Sequence, residues 1–255
     1  MGKLITKIKS SKLLNSGAIK KVKDKIYFKY INPREEKRTD KYREEIIKKF
    51  GEICKDCHWI LFAGSILRYH RDNTMDGQDL DFLIERKDFD KVKNQFLKEG
   101  FKIHQAFVNN KKVLTEYRLD YKGVEVDVFL ADKDKKCYVA SSTMEKINAK
   151  DFTKKVIGNT QVISGKDIVS YVRKQPFFDE VADYEFKGVK FKGPKDIEKA
   201  IYDLYGETWT FYDPTYDPRT CPKHNLPVAN PNATSYVYIK PLTSFDDLFK
   251  DVENS

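Results

Sequence analysis

The segment spanning residues 59–84 constrains the fold of this chain more than any other stretch. An apolar strand runs into Gly64 and Ser65, and a second apolar strand then places Asp79 and Asp81 two residues apart. Residues i and i+2 of a strand share a face, so both carboxylates point the same way. Two adjacent carboxylates repel each other unless a cation lies between them or one is protonated. The pair therefore predicts a metal site.

A polar loop is predicted between these two strands, and it carries Arg68 and Arg71. A Gly-Ser turn offers backbone N–H groups and a hydroxyl to a phosphate, and the planar guanidinium of arginine suits phosphate neutralisation. Together with the acid pair, these residues predict metal-assisted phosphoryl transfer. The strand around the acids is apolar, which disfavours the alternative of an exposed strand that carries two acids by chance.

Asp127 is the candidate for a third carboxylate. It lies in an alternating strand in which Glu125, Asp127 and Phe129 share one face and three valines share the other. Two-metal phosphoryl transfer uses a third carboxylate near the first two, so Asp127 is predicted to be a metal ligand or a general base. The alternative is an outward-facing acid pair on a strand with one buried face.

Hydrophobic periodicity and chain breakers predict the remaining elements. The predicted helices are Lys41–Cys57, Asp88–Glu99 (capped by Asp88 and ended by Gly100), Met144–Lys155 and Lys195–Tyr205. The predicted strands are Tyr27–Tyr30, Trp59–Ala63, Leu80–Ile84, Phe101–Phe107 and a hairpin at Leu114–Leu130, with a further short element at Asp167–Arg173. Repeated prolines after Tyr212 predict a long irregular segment, and the whole predicts a mixed α+β domain.

Composition indicates what kind of protein this is and in which cellular environment we expect it. With 255 residues, of which 40% are hydrophobic, the chain can bury a substantial core. No apolar run approaches the roughly 18 to 20 residues that cross a bilayer, and no signal peptide is visible. Four cysteines do not make a disulfide framework, which predicts a reducing, cytoplasmic setting. An alternative use of cysteine is structural zinc, for which the candidate ligands are Cys54, Cys57, Cys221 and His224.

Positive charge is concentrated at the N-terminus. The first 25 residues hold eight Lys and one Asp, a net of +7, which leaves +2 of the total of +9 for residues 26–255. A nearly neutral body argues against a nucleic-acid partner, because nucleic-acid enzymes usually carry a basic surface beside the active site. Residues 1–40 are predicted to form a basic arm, which is either solvated or in peripheral contact with an anionic membrane.

Residues 59–213 resemble the LicD/fukutin family of phosphotransferases, within the nucleotidyltransferase superfamily. The opening Gly64-Ser65-Ile66-Leu67 is similar to the start of the family motif. Arg71 falls at the family's arginine position, and Asp79-Leu80-Asp81 falls at its acidic pair. Val126-Asp127-Val128-Phe129 matches the later strand that carries the third acid.

A second part of the resemblance lies downstream, and two positions depart from the family pattern. Arg68 stands where the family usually has a second glycine, and the loop before the acid pair ends in an unfamiliar Gly77-Gln78. The downstream match consists of Phe186-x-Gly188, Pro194-Lys195-Asp196 and Leu204-Tyr205-Gly206-Glu207-Thr208-Trp209.

The resemblance implies a polymerase-beta-like mixed sheet with flanking helices and a helical or irregular C-terminal part. It implies a nucleotidyltransferase core at 41–135, with a helical and Pro-rich part at 136–255 packed on it. The implied reaction moves a phospho-alcohol, such as phosphocholine or ribitol phosphate, from a CDP-linked donor to a glycan hydroxyl. Mg²⁺ or Mn²⁺ would be held by Asp79, Asp81 and Asp127, and Arg71 would offset charge in the transition state. The predicted substrate contacts are Gly64, Ser65, Arg68 and Gln78.

Two other functions remain open at the level of sequence. One is an NTP-using nucleotidyltransferase that acts on a small molecule, a protein or tRNA. The other is a catalytically inactive binding module of the same fold, which the presence of all three acids disfavours. The choice of donor, an NTP or a CDP-linked alcohol, separates the first alternative from the phosphotransferase. A biological effect that survives Asp81→Asn would favour the binding module over an enzyme.

Overall fold

The computed structural model describes residues 32–135, 137–213 and 216–253. Five helices lie in this part of the chain: α1 (Asn32–Ile53), α2 (Ala63–Asp72), α3 (Arg86–Lys98), α4 (Ile197–Tyr205) and α5 (Phe245–Glu253). The strands are β1 (Trp59–Leu61), β2 (Asp79–Glu85), β3 (Lys102–Val108), β4 (Leu114–Tyr121), β5 (Val124–Asp134), β6 (Cys137–Glu145), β7 (Thr153–Ile157), β8 (Thr160–Ser164), β9 (Ile168–Gln175), β10 (Val181–Phe186), β11 (Val189–Pro194), β12 (Val228–Pro231) and β13 (Thr234–Leu242).

Eleven of these strands form one large sheet. Its order is β12-β9-β6-β5-β4-β3-β13-β8-β7, with β2 attached to β5 and β1 attached to β2. The β2–β5 pair is parallel, whereas the other described pairs are antiparallel. The remaining two strands, β10 and β11, form a separate antiparallel hairpin.

The predicted fold class is therefore wrong. The sequence predicts a polymerase-beta-like mixed sheet with flanking helices and a helical or irregular C-terminal part. Instead, an eleven-stranded and mostly antiparallel sheet extends through the C-terminal half. The reason is that residues 137–175 and 234–242 are rich in β-branched and aromatic residues, which pack well on a pleated surface. These residues complete the sheet instead of covering it.

Two local predictions in the C-terminal half fail for the same reason. The helix predicted at Met144–Lys155 is wrong, because β6 continues to Glu145 and β7 begins at Thr153. The Pro-rich segment is also less irregular than expected, since β13 lies in the sheet between β3 and β8. The prolines are tolerated where ladder hydrogen bonds are not needed. Pro231 ends the edge strand β12, and Pro241 lies within a register shift of β13 against β3.

Several predictions for the N-terminal half are confirmed. The hairpin of β4 and β5 turns through Lys122 and Gly123, both with positive φ, as a tight two-residue turn requires. Helix α1 has the predicted apolar face but begins at Asn32 and ends at Ile53. Helix α3 begins at Arg86, and Asp88 does not cap it. In the C-terminal half, the predicted helix that contains α4 is also present; it ends at Tyr205 and is followed by Gly206, whose φ of 79° suits a residue without a Cβ.

The remaining organisational predictions have mixed outcomes. The Tyr27–Tyr30 strand and most of the basic arm lie outside the described residues. The proposed division at residues 135 and 136 stays a prediction, although β5 and β6 on its two sides are hydrogen-bonded neighbours. In the described part of the chain, no helix combines the length and the apolar composition that crossing a bilayer requires.

Strand β2 positions the candidate site because both of its faces are covered. Leu80, Phe82 and Ile84 face the main core, where Phe50 of α1 stacks on Phe82 with ring centroids 3.8 Å apart. Leu83 belongs to a smaller apolar cluster on the opposite side of the sheet. Because alternate residues of a strand share a face, Asp81 lies on that opposite side, beside the smaller cluster.

Candidate metal centre

Strand register brings the three predicted acids together. The parallel β2–β5 pair places Asp81 beside Asp127 and Asp79 beside Glu125. One carboxylate oxygen each from Asp79, Asp81 and Asp127 lies within 4.8 Å of the others. Asp81 and Asp127 are 8% and 4% exposed, so these two acids are shielded from water. The predicted triad is thus assembled, although its members come from two strands that are far apart in the chain.

The electrostatics of the triad favour a bound cation. Burial, followed by the neighbouring charge of Asp79, raises the pKa of Asp81 to about 7. Burial also raises the pKa of Asp127 well above its ordinary value, although the nearby Arg118 opposes this shift. The buried Oδ1 atom of Asp127 has no hydrogen-bond partner. Three clustered carboxylates fit a hard divalent cation such as Mg²⁺ or Mn²⁺.

Gly64 and Ser65 lie in the first turn of a helix, and this corrects the expectation of a polar loop. Helix α2 starts at Ala63, whose φ of 44° turns the chain sharply out of β1. The backbone N–H of Phe62 donates to the carbonyl of Asp81 at 2.9 Å. The Ser65 hydroxyl accepts from the backbone N–H of Asp81 at 3.1 Å and is fully buried. Ser65 therefore joins α2 to β2, instead of facing a substrate.

We expect Ser65→Ala to reduce the free energy of unfolding by about 1 to 3 kcal/mol, because the buried N–H of Asp81 loses its acceptor. Urea denaturation followed by circular dichroism measures the effect. Ser142→Ala is a suitable control, since its hydroxyl has no hydrogen-bond partner among the described residues and it lies on the opposite wall of the cleft. Equal stabilities of the two variants would contradict this role of Ser65.

Arg68 is the arginine that the fold places beside the acids. Its guanidinium lies between two glycines: a Cβ built on Gly64 would lie 3.0 Å from its Nη1, and one built on Gly77 would lie 2.4 Å from its Nη2. Its Nη2 atom is 3.9 Å from Oδ1 of Asp79. The Nε and Nη2 atoms are buried without hydrogen-bond partners. Arg68 is thus a cation held at the acid cluster with unused donor capacity.

Arg71 and Gln78 are placed differently from the sequence prediction. Arg71 pairs with the neighbouring Asp72 through two contacts of 2.8 Å and donates to the carbonyl of Trp209 at 3.3 Å. It is not among the residues that line the cleft described below. The backbone carbonyl of Gln78 accepts from the Thr39 hydroxyl at 2.7 Å, which attaches the loop before β2 to α1. Of the two arginines, Arg68 is therefore the one that lies at the acids and lines the cleft.

A cleft of about 320 Å³ opens beside the acids. One wall is formed by the start of α2 and by Asp79 and Asp81. The opposite wall is formed by β5, β6, β9 and the Pro-rich segment. Of these, the sequence predicted only β5 as part of the site. Its lining residues include Phe129, Ser142, Tyr171, Arg173, Gln175 and Tyr216. No local motif marks these residues; those on β6 and β9 reach the acids through the pairing of β5 with β6 and of β6 with β9.

The alternative zinc site is not assembled. Among residues 32–135, 137–213 and 216–253, the Asp79, Asp81 and Asp127 cluster is the one group of three or more metal-binding side chains. Cys54 is buried in the main core, and Cys57 lies beside it. His224 instead stacks on Tyr202 and pairs with Asp203 at 3.4 Å. Tyr205 lines the cleft, whereas Trp209 packs against the main core.

Comparison with known proteins does not show to which class this chain belongs. No protein-family model matches the chain, and no curated protein matches it. The resemblance of residues 59–213 to the LicD/fukutin family therefore stays a prediction from motifs.

Proposed function

We propose that this chain is a divalent-metal-dependent phosphotransferase that moves a phospho-alcohol from a CDP-linked donor to a glycan hydroxyl. The observation that carries the proposal is the cluster of Asp79, Asp81 and Asp127 at a cleft that also holds Arg68. The site supports phosphoryl transfer, whereas the donor and the acceptor are supported by the motif resemblance alone. The observed sheet is not the one that the resemblance implied, so the fold adds no support.

The three carboxylates would hold Mg²⁺ or Mn²⁺ at the edge of the cleft. When bound, the ion would neutralise phosphate charge and act as a Lewis acid. Asp81 and Asp127 are buried, so their charged forms are costly unless a cation is paired with them. Asp79 is partly exposed and lines the cleft. Asp81 lines the cleft as well, so two members of the triad face an incoming substrate.

Arg68 would neutralise phosphate oxygens from the same wall of the cleft. A guanidinium is suited to this task because it offers several donors in one plane and stays charged. In the transfer, the acceptor oxygen bonds to the phosphorus that carries the alcohol, the bond to the bridging oxygen breaks, and CMP leaves. The acceptor also loses a proton. Asp127 would either hold the metal or accept that proton.

We expect Mg²⁺ or Mn²⁺ to raise the thermal midpoint of the full-length protein, and EDTA to reverse the increase. CDP-choline, CDP-ribitol or CDP-glycerol should raise it further only in the presence of metal. A ligand at one hundred times its Kd contributes about 2.7 kcal/mol, which corresponds to about 5 to 10 °C in a chain of this size. A thermal-shift panel with these donors and the four NTPs measures the effects.

Two variants control this panel. Asp81→Asn should lose the metal-dependent shift, whereas Glu125→Gln should keep it, because Glu125 lies beside the triad but outside the cluster. Shifts with NTPs but not with CDP-linked alcohols would replace the proposal with NTP-dependent nucleotidyl transfer. Donor binding without any transfer to glycan acceptors would indicate a binding module. The absence of any shift with either metal would overturn the metal site itself.

A further inference from the structure

Arg118 lies next to the metal centre on the side away from β2. The register of β4 and β5 places Arg118 opposite Asp127, just as the register of β2 and β5 places Asp81 opposite Asp127. Residues directly opposite each other on adjacent strands lie on the same face of a sheet. Asp81, Asp127 and Arg118 therefore form a row across three strands, with Asp127 in the middle.

The contacts of Arg118 are ionic and shared among several acids. Its Nε atom lies 3.4 Å from Oδ1 of Asp127 and 3.5 Å from Oε1 of Glu116, and its Nη1 atom lies 3.3 Å from Oε1 of Glu125. None of these ion pairs supplies a hydrogen bond to Asp127 Oδ1. The guanidinium also lies over the ring of Phe107, 5.2 Å from its centroid, which helps to hold it in place.

The charges along this face are unbalanced without a metal ion. Five carboxylates lie together there, namely Asp79, Asp81, Glu116, Glu125 and Asp127. The described cations that contact them are Arg118 and, on the cleft side of the acids, Arg68. Glu116 is only 2% exposed, so solvent screens this cluster poorly. Buried like charges destabilise a native state, and any added cation relieves the repulsion.

We propose that Arg118 is a built-in counter-cation that neutralises Asp127 in the metal-free protein and competes with a divalent metal for that carboxylate. Arg118 thereby weakens metal binding and keeps the triad assembled before the metal arrives. This inference rests on the metal site of the proposed function. Arg118 does not line the cleft, so it acts through Asp127 as a positioning residue.

The test is a Mn²⁺ titration of the full-length protein and of Arg118→Gln, followed by thermal midpoint and by calorimetry. We expect Arg118→Gln to lower the midpoint in EDTA and to bind Mn²⁺ about tenfold more tightly than the wild type, within the range of typical coupling between two sites. Saturating Mn²⁺ should therefore narrow the gap in midpoint between the two proteins. Arg118→Lys keeps the charge but not the planar fork, so its midpoint in EDTA and its affinity for Mn²⁺ should lie between those of the wild type and Arg118→Gln.

A matched control separates this role from ordinary structural support. Arg86 also pairs with a carboxylate, Asp132, at 2.6 and 2.7 Å, but lies outside the cluster. Arg86→Gln should lower the midpoint equally with and without Mn²⁺. If Arg118→Gln behaves in the same way, or binds Mn²⁺ no more tightly than the wild type, the competition does not exist.

A second variant keeps the test decisive if Arg118→Gln fails to fold in EDTA. The double variant Arg118→Gln/Glu116→Gln removes one positive and one negative charge, so the charge balance of the face is unchanged. It should fold without metal and still bind Mn²⁺ more tightly than the wild type. If the wild type binds Mn²⁺ and both variants bind it with the same affinity, this inference is overturned and the proposed function stands. If no protein in the series binds Mn²⁺, both proposals fail.

Discussion

We expect Asp81→Asn to slow transfer from the preferred donor by about 10²- to 10³-fold, the size of effect seen when one preorganised electrostatic contact to a transition state is removed. The same change should not lower the thermal midpoint of the metal-free protein. Asn has nearly the same shape as Asp, and the substitution removes a buried negative charge that lies within 4.8 Å of Asp79 and Asp127. Relief of this repulsion offsets the lost interactions of the carboxylate.

A loss of activity without a loss of stability is the signature of a metal-binding acid. Replacement of an acid with a purely structural role would lower both the activity and the stability of the protein. The measurements are the rate of CMP release in the presence of the acceptor and the thermal midpoint in EDTA. Glu125→Gln is the control on the neighbouring strand, and its rate should stay within about threefold of the wild-type rate, because Glu125 lies outside the group of three metal-binding side chains and does not line the cleft. A large loss of stability in Asp81→Asn with an unchanged rate would contradict the assignment.

The assembly of the triad shows how far the sequence could predict this site. Spacing alone predicts that Asp79 and Asp81 share a face, because that is a property of a single strand. The position of Asp127 follows from the parallel pairing of β2 with β5, and α3, β3 and β4 intervene between these strands in the chain. No local pattern specifies such a pairing. The expectation for Asp127 rests on the resemblance and on the chemistry of two-metal sites, and the strand register places it as expected.

The segment after β1 is wrongly predicted as a loop because its helix lacks the usual starting signals. Phe62 stands at the N-cap and makes no side-chain capping hydrogen bond, and Gly64 has a low helix propensity. In the observed helix, Gly64 and Arg68 are four residues apart and therefore neighbours on one face. This spacing brings Arg68 to the acids and takes Arg71 toward Trp209. Helical periodicity thus favours Arg68, whereas the loop prediction gave no reason to choose between the two arginines.

The C-terminal half could not be predicted from local patterns in the same way. β13 pairs with β3 and β8, so its place in the sheet depends on contacts between segments that are far apart in the chain. Its Tyr236 and Tyr238 are almost fully buried, but prolines on both sides suggested an irregular segment. The opposite wall of the cleft depends on a similar distant pairing. Sequence patterns thus predicted the acids of the site but not the surface that faces them.

We expect Gly77→Ala to weaken binding of the metal–donor complex by about ten- to a hundredfold, the range for the loss of one charge-assisted contact. Gly77 has a φ of 155°, and a Cβ there would lie 2.4 Å from Nη2 and 2.7 Å from Cζ of Arg68. The atoms that it meets belong to the end of a flexible side chain, so the guanidinium can move away at moderate cost. The substitution should therefore displace Arg68 more than it destabilises the fold.

Gly158→Ala isolates the backbone contribution to this effect. Gly158 also has a positive φ, 57°, but a Cβ at this position would meet no described atom within 4 Å. Gly158→Ala should lose about 1 kcal/mol of stability from backbone strain and Gly77→Ala about 1 to 3 kcal/mol, and only Gly77→Ala should lose affinity. Binding of Mn²⁺–pyrophosphate and of the donor by calorimetry measures the difference. A double variant with Arg68→Gln should bind no more weakly than either single variant, because both substitutions remove the same contact. Additive losses would mean that Gly77 acts on the donor by a route other than Arg68.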